Sequence, residues 1–292
     1  MTRHARWVDT SSHKRVFAEE RGSGAGIFLL HGLGGTGRSL ATSFSGLERD
    51  FSLLSIDSIG HGRSVSPVSP LDYSPNLLVS QFLEVLDAFD HETVHVLGYG
   101  MGARLALCMA VLFPERLVSS ILIAPVLGLT DSDSGEGRRH QDSDKARRIK
   151  EGDLKTFQEV LLSEPEAKVP NLEESKRSKG GDSQWLKRSP IGIANSLLAL
   201  GPGCDLVSRE DLQNIRVPMF LLSGDKDHDA VKTAKFLTNY LPVSQNYLLE
   251  GCGRAAHVEQ NGTVTHLCRE FLMRSPQALR KRIEIDTEFL DQ

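Results

Sequence analysis

Residues 93–113 read Thr-Val-His-Val-Leu-Gly-Tyr-Gly-Met-Gly-Ala-Arg-Leu-Ala-Leu-Cys-Met-Ala-Val-Leu-Phe, and this stretch decides the fold. Thr93–Leu97 is a short apolar run with β-branched residues, which predicts a buried strand. Ala103–Phe113 predicts a helix that begins almost at once. Between them stand Gly98, Gly100 and Gly102, spaced two apart. Glycine suits such a bend because, without a Cβ, it admits sharp turns and close backbone approach.

Outward from this turn the pattern repeats. Ile27–Leu30, Phe51–Ile56 and Leu117–Ile123 predict further strands, and Leu77–Phe89 carries apolar residues at helical spacing. Alternation of this kind predicts a mostly parallel sheet with helices on both faces. From about Thr130 to Pro190 the chain turns polar and charged, with one amphipathic helix expected over Ala146–Leu162. The strand–helix rhythm returns with Val217–Ser223, Val231–Leu241, Gln245–Leu249 and Gly262–Met273. The expected organisation is one domain interrupted once. Its core spans 1–128 and 206–274, an inserted polar helical lid spans 129–205, and a charged tail spans 275–292.

A chain of 292 residues is long enough for one large α/β domain. With 39% hydrophobic and 25% charged residues it has the composition of a globular protein, and a net charge of −4 argues against nucleic acid or an anionic membrane as partner. Cys108, Cys204, Cys252 and Cys268 are far apart, without a CxxC pair, which predicts reduced thiols and no zinc site. The first fifteen residues lack the apolar core of a secretory signal, and no apolar run approaches the roughly 20 residues of a membrane span. The expected location is the cytoplasm.

Glycine-rich turns after strands admit two readings. Gly32-Leu-Gly-Gly-Thr-Gly37 fits G-x-G-x-x-G with Asp57 ending the next strand, and Gly98 to Ala103 fits G-x-G-x-x-A. Both imitate a dinucleotide-binding βαβ unit, so an NAD(P) enzyme stands as one alternative. Against it, His31 separates the strand from Gly32, and Asp57 opens a longer motif, Asp57-Ser-Ile-Gly-His61-Gly-Arg-Ser64.

The second reading covers more residues. His31-Gly32 after a strand, Asp-x-x-Gly-His-Gly-x-Ser, then strand–Gly98-Tyr-Gly100-Met-Gly102–helix together resemble the α/β-hydrolase fold. The resemblance implies a catalytic serine at the third position of the Gly-x-Ser-x-Gly turn, where this chain has Gly100. It implies an oxyanion hole from the amides of Met101 and about Leu33, and a triad in the order Ser, Asp, His. Asp227, in Gly224-Asp-Lys-Asp227, matches the triad acid, with Asp225 and Asp229 close by. Gly251-Cys-Gly-Arg254-Ala-Ala-His257-Val-Glu resembles the stretch that carries the catalytic histidine, but Arg254 stands at that position and His257 matches a second, noncatalytic one. Glycine has no attacking group, and a guanidinium stays protonated and accepts no proton.

Within the fold, Gly98-Tyr99-Gly100-Met101-Gly102-Ala103-Arg104, Leu197–Gly203 and Gly253-Arg-Ala-Ala-His257 resemble the menaquinone-pathway synthase that eliminates pyruvate to form a succinyl-hydroxycyclohexadiene carboxylate. That resemblance covers roughly residues 25–273 and implies that Tyr99 and Arg104 contact a substrate bearing several carboxylates, with Arg138, Arg139 or Arg188 of the lid adding charge. A solvated charged face is the plainer expectation for the lid arginines.

The expectation is a degenerate member of the fold that binds a small anionic molecule, with His31, Leu33, Tyr99, Met101, Arg104 and His257 as ligand-side residues and no cofactor or metal. Arg254 is expected to pair with Asp227, since a buried unpaired charge is costly; an Arg254 held by Asp227 alone weakens its role as an anion receptor. The alternative is a non-covalent lyase or synthase in which Asp227, His31, His61, His228 or His257 moves the proton.

Overall fold

The computed structural model describes residues 3–128, 132–163, 188–204 and 206–274. The chain runs β1 (Arg3–Asp9), β2 (Arg15–Gly22), β3 (Ala25–Leu30), α1 (Gly37–Ser43), β4 (Phe51–Asp57), α2 (Pro75–Ala88), β5 (Val94–Tyr99), α3 (Met101–Leu112) and β6 (Leu117–Ile123). It continues with α4 (Ser132–Glu151), α5 (Leu154–Ser163), α6 (Pro190–Leu200), α7 (Arg209–Asn214), β7 (Met219–Gly224), α8 (His228–Tyr240), β8 (Ser244–Leu249), α9 (Ala256–Glu259) and α10 (Asn261–Met273).

The strands form an eight-stranded sheet in the order β1-β2-β4-β3-β5-β6-β7-β8. β1 and β2 are antiparallel and β3 to β8 are parallel. Alternate side chains of each central strand serve opposite faces. Ile27, Leu29, Leu53 and Leu97 pack with Phe44 just beyond α1 and with Val264 and Phe271 of α10. Phe28, Leu30, Leu54 and Val96 pack with Phe82 of α2, Leu105 of α3 and Leu237 of α8. Both faces are covered, which is why these strands read as continuous apolar runs.

β1 and β2 are absent from the sequence expectation. Their charged, partly exposed residues carry little of the apolar signal that marks the central strands. The expected helix over Ala146–Leu162 is two helices: α4 ends at Glu151, Gly152 intervenes, and Asp153 accepts the Thr156 amide at 2.8 Å to start α5. α4, α5 and α6 lie between β6 and β7 in sequence, and Ala146, Ile149, Phe157, Val160 and Ile193 join the same apolar cluster as α2 and α3. The polar stretch around Glu173–Gln184 and the tail 275–292 lie outside the described residues. Among the described residues no helix is long and apolar enough to cross a membrane.

Candidate functional site

The loops that follow β3, β4, β5, β7 and β8 all leave the same edge of the sheet, where open α/β sheets bind ligands. Gly100 is the N-cap of α3 and sits at φ 53°, ψ −109°, a conformation that side chains with a Cβ rarely adopt. The bend is compressed against its neighbours. A Cβ at Gly98 would overlap the carbonyl of Gly102, and a Cβ at Gly102 would overlap the carbonyl of Leu30 at the end of β3. The crowding inferred from the glycine spacing is therefore literal, and it seats α3 directly on the loop that carries His31.

Asp227 ends the β7 loop and caps α8, its Oδ1 accepting the Ala230 amide at 3.3 Å. Gly224 lets the β8 loop lie on the end of β7, since a Cβ there would overlap the carbonyls of Cys252 and Gly253. Glu259 holds that loop by accepting the Gly253 amide at 2.9 Å. This brings Arg254 onto Asp227 as a two-pronged fork: Nε donates to Oδ2 at 2.6 Å and Nη2 to Oδ1 at 2.7 Å. The two side chains are only 9% and 6% exposed. The pairing expected from the sequence is present. Both oxygens of Asp227 and two nitrogens of Arg254 are thereby engaged, so the fork leaves Arg254 poorly placed as an anion receptor.

The neighbouring acids separate. Asp229 pairs with Arg138 of α4 at 2.7 Å, so this inserted arginine is tied to the first turn of α8. The amide of Asp225 donates to the Leu249 carbonyl at 3.0 Å, and its side chain makes no hydrogen bond or ion pair with Arg254. Arg188 donates from Nε to the Gly34 carbonyl at 3.0 Å and lies close enough to His61 to act on it electrostatically. Burial lowers the Arg188 guanidinium to about 10. Arg139 meets the 201–204 turn through its backbone, packed against Gly203.

His31 is buried; its Nε2 accepts the Ser58 amide at 3.1 Å and its Nδ1 lies 2.8 Å from the Gly32 carbonyl, which assigns the proton to Nδ1. Its ring centroid lies 4.9 Å from that of His61. Tyr99 and His257 are buried together, ring centroids 4.3 Å apart, with Phe44 stacked on the other side of His257 at 6.2 Å. Arg104 is 2% exposed on α3, where its Nη1 donates to Val126 O at 3.3 Å, so it does not face solvent as a first-turn residue. Leu33 and Met101 are buried, and Met101 opens α3, so its amide is among the helix's N-terminal donors. His228 is exposed at the start of α8. Among the described residues no imidazole hydrogen-bonds to Asp227, and no His, Cys, Asp and Glu cluster could hold a metal.

The nucleotide reading fails on Asp57. Its Oδ1 accepts the Gly37 amide at 2.8 Å and its Oδ2 the Arg63 amide at 2.9 Å, so this buried carboxylate ties two loops together and is closed to a ribose. Sequence reasoning passed over that clamp and over Glu259; an acid flanked by glycine-rich turns was the available signal for Asp57.

The buried histidines set a pH dependence. Burial lowers His257 to about 4 and His95 to about 4; burial, with His31 and Arg188 beside it, lowers His61 to about 3. Each is neutral in the fold and returns to about 6.5 on unfolding, so the unfolded chain takes up protons first. The stability they supply is complete above about pH 6.5 and is lost as pH falls toward about 4. Thermal unfolding across that window is expected to show a falling midpoint, with a shallower fall in His257→Phe. A variant profile superimposable on the wild type would refute the assignment.

Residues 27–269 match the alpha/beta hydrolase family, and the chain belongs to that family. Within it, the chain is similar to a putative 2-succinyl-6-hydroxy-2,4-cyclohexadiene-1-carboxylate synthase of Bacillus subtilis, 28% identical over 252 residues, covering 84% of this chain and 89% of the relative. Among solved structures it resembles MenH from S. aureus, with TM-score 0.74, 22% identity and coverage of 94% and 99%. It also resembles a hydrolase from Pseudomonas aeruginosa, with TM-score 0.77, 20% identity and coverage of 92% and 98%. These two likenesses carry the fold.

Proposed function

We propose that this chain keeps the scaffold of the synthase-like hydrolases without their proton-transfer chemistry, and that it binds a small anionic molecule. One observation carries the reading: Asp227, in the place of a triad acid, is forked by Arg254, while the bend that would present the nucleophile is Gly100. A serine nucleophile needs a hydroxyl at the bend and a base to deprotonate it; here the bend has no side chain and the guanidinium stays protonated. The carboxylate that would orient the base is occupied. Relocation of chemistry to His61 or His257 would call on buried imidazoles whose basicity burial lowers, to about 3 and about 4.

With Arg254 engaged by Asp227, a cation suited to an anionic ligand is Arg188, desolvated and anchored on the loop between β3 and α1. A charge in such surroundings acts more strongly on a ligand than one in water. Leu33 and Met101 line the ligand side, and the α4–α6 insertion serves as the lid.

The test is a pair of assays on a simple nitrophenyl ester and on the synthase substrate named for the Bacillus relative. The wild type is expected to run at the rate of buffer on both, and Gly100→Ser combined with Arg254→His is expected to gain esterase turnover. Wild-type turnover that disappears in Asp227→Asn would overturn the proposal in favour of a non-covalent enzyme.

A further inference from the structure

Three guanidinium groups converge on one buried carboxylate near the ends of β3 and β4. Glu19 of β2 is 2% exposed. Arg21 donates from Nε to its Oε1 at 2.5 Å, and Arg38, at the start of α1, donates from Nη2 to its Oε2 at 3.1 Å. Arg63, in the loop after β4, holds its Nη2 at 3.8 Å from the same Oε2, beyond hydrogen-bond distance. The Arg63 guanidinium is fixed by lying 3.5 Å over the centre of the Phe17 ring.

One other acid reaches this pair of arginines. Asp57 is 3.9 Å from Arg63 Nε, but its two oxygens already accept the Gly37 and Arg63 amides. Glu48 reaches only Arg21, at 4.0 Å. Two half-exposed guanidinium groups, with side chains 51% and 40% exposed, therefore converge on one oxygen of Glu19, and Asp57 is the second acid beside Arg63. Each carries five N–H donors, most of which have no acceptor among the described residues. Like charges held this close repel, which favours a further anion on their exposed side.

We infer that Arg38 and Arg63 form a second binding site, apart from the Gly100 bend, for the oxyanion group of a small molecule, a phosphate or a carboxylate. Forked guanidinium groups suit either group because two parallel N–H bonds match its oxygens. Phe17 holds one fork in place, while Arg38 swings in from α1 with its charge only partly spent on Glu19. Ligands commonly dock at this edge of a parallel sheet, and Arg38 stands in the first turn of α1 after β3 while Arg63 stands in the loop after β4.

The experiment is calorimetric titration of the full chain, at low ionic strength, with inorganic phosphate and separately with succinate. Arginine side-chain NMR then reports which guanidinium groups respond. Saturable binding of one or both anions is expected, weakened tenfold or more in Arg38→Gln and in Arg63→Gln. Arg38→Lys, which keeps the charge and the pairing with Glu19 but loses the fork, is expected to recover part of it and guards against a misfolded glutamine variant. Preference for phosphate assigns a phosphorylated ligand; preference for succinate assigns a carboxylate. The proposal is overturned by the absence of saturable binding of both anions, by unchanged binding in Arg38→Gln, or by an equal loss in Arg49→Gln, an exposed arginine beyond α1 that pairs with Asp50 at 3.7 Å.

Discussion

Arg254→Met is expected to lower folding stability by about 3–5 kcal/mol, because it strands the Asp227 carboxylate in a nearly buried position. Asp227→Leu, which strands the guanidinium instead, is expected to cost a similar amount. Their combination should lie within about 1–2 kcal/mol of the wild type, since replacing both partners of a buried pair by apolar groups is often neutral. The cycle therefore predicts strong coupling, whereas an exposed ion pair yields only about 0–1 kcal/mol. Thermal denaturation of the four proteins measures it, the single variants melting roughly 6 °C or more below the wild type. Additive losses would mean that the fork contributes little and that Arg254 is held by something else.

Gly102→Ala should be the most damaging single methyl group in the chain. Its Cβ would overlap the Leu30 carbonyl and approach the His31 carbonyl at 2.9 Å, and neither backbone atom can yield without moving β3 or α3. A loss of about 3 kcal/mol or more is expected from overpacking against main chain. Gly262→Ala in α10 is the control: nothing lies within 4 Å of its Cβ, and a helical glycine-to-alanine exchange gains up to about 1 kcal/mol. Soluble expression and chemical denaturation of both variants decide it. A Gly102→Ala protein as stable as the wild type would show that α3 is not pressed onto β3 as described.

The elbow was legible because its cause is local. Three glycines spaced two apart have few explanations, and the backbone contacts at Gly98 and Gly102 supply the one inferred. Asp227 and Arg254 were legible through the resemblance to the α/β-hydrolase pattern, which implies an acid in the first of two late loops and a base in the second, where this chain has a cation. The central strands announced themselves through unbroken apolar runs. β1 and β2 did not, because charged residues such as Arg6, Arg15, Glu19 and Arg21 interrupt the apolar run, although Val16, Phe17, Ala18 and Glu19 of β2 are buried.

Side-chain destinations were the least legible. Arg104 reads, through the resemblance, as a substrate contact, and it is buried and donates to Val126 O, a partner 22 residues away. Arg138 and Arg188 look alike in a charged insertion, but one pairs with Asp229 and the other reaches the Gly34 carbonyl. Asp57 looked like a ribose acid and is a loop clamp. Each of these depends on contacts between segments far apart in the chain, which no local pattern encodes.

Intact-mass spectrometry after incubation with a fluorophosphonate, a reagent that captures activated serines, tests most directly whether the bend after β5 has lost its attack chemistry. The wild-type chain is expected to keep its unmodified mass, because Gly100 offers no hydroxyl and Arg254 holds the carboxylate that would support a base. A stoichiometric phosphonyl adduct on any serine of the wild type would contradict this, and would place a working nucleophile elsewhere in the fold.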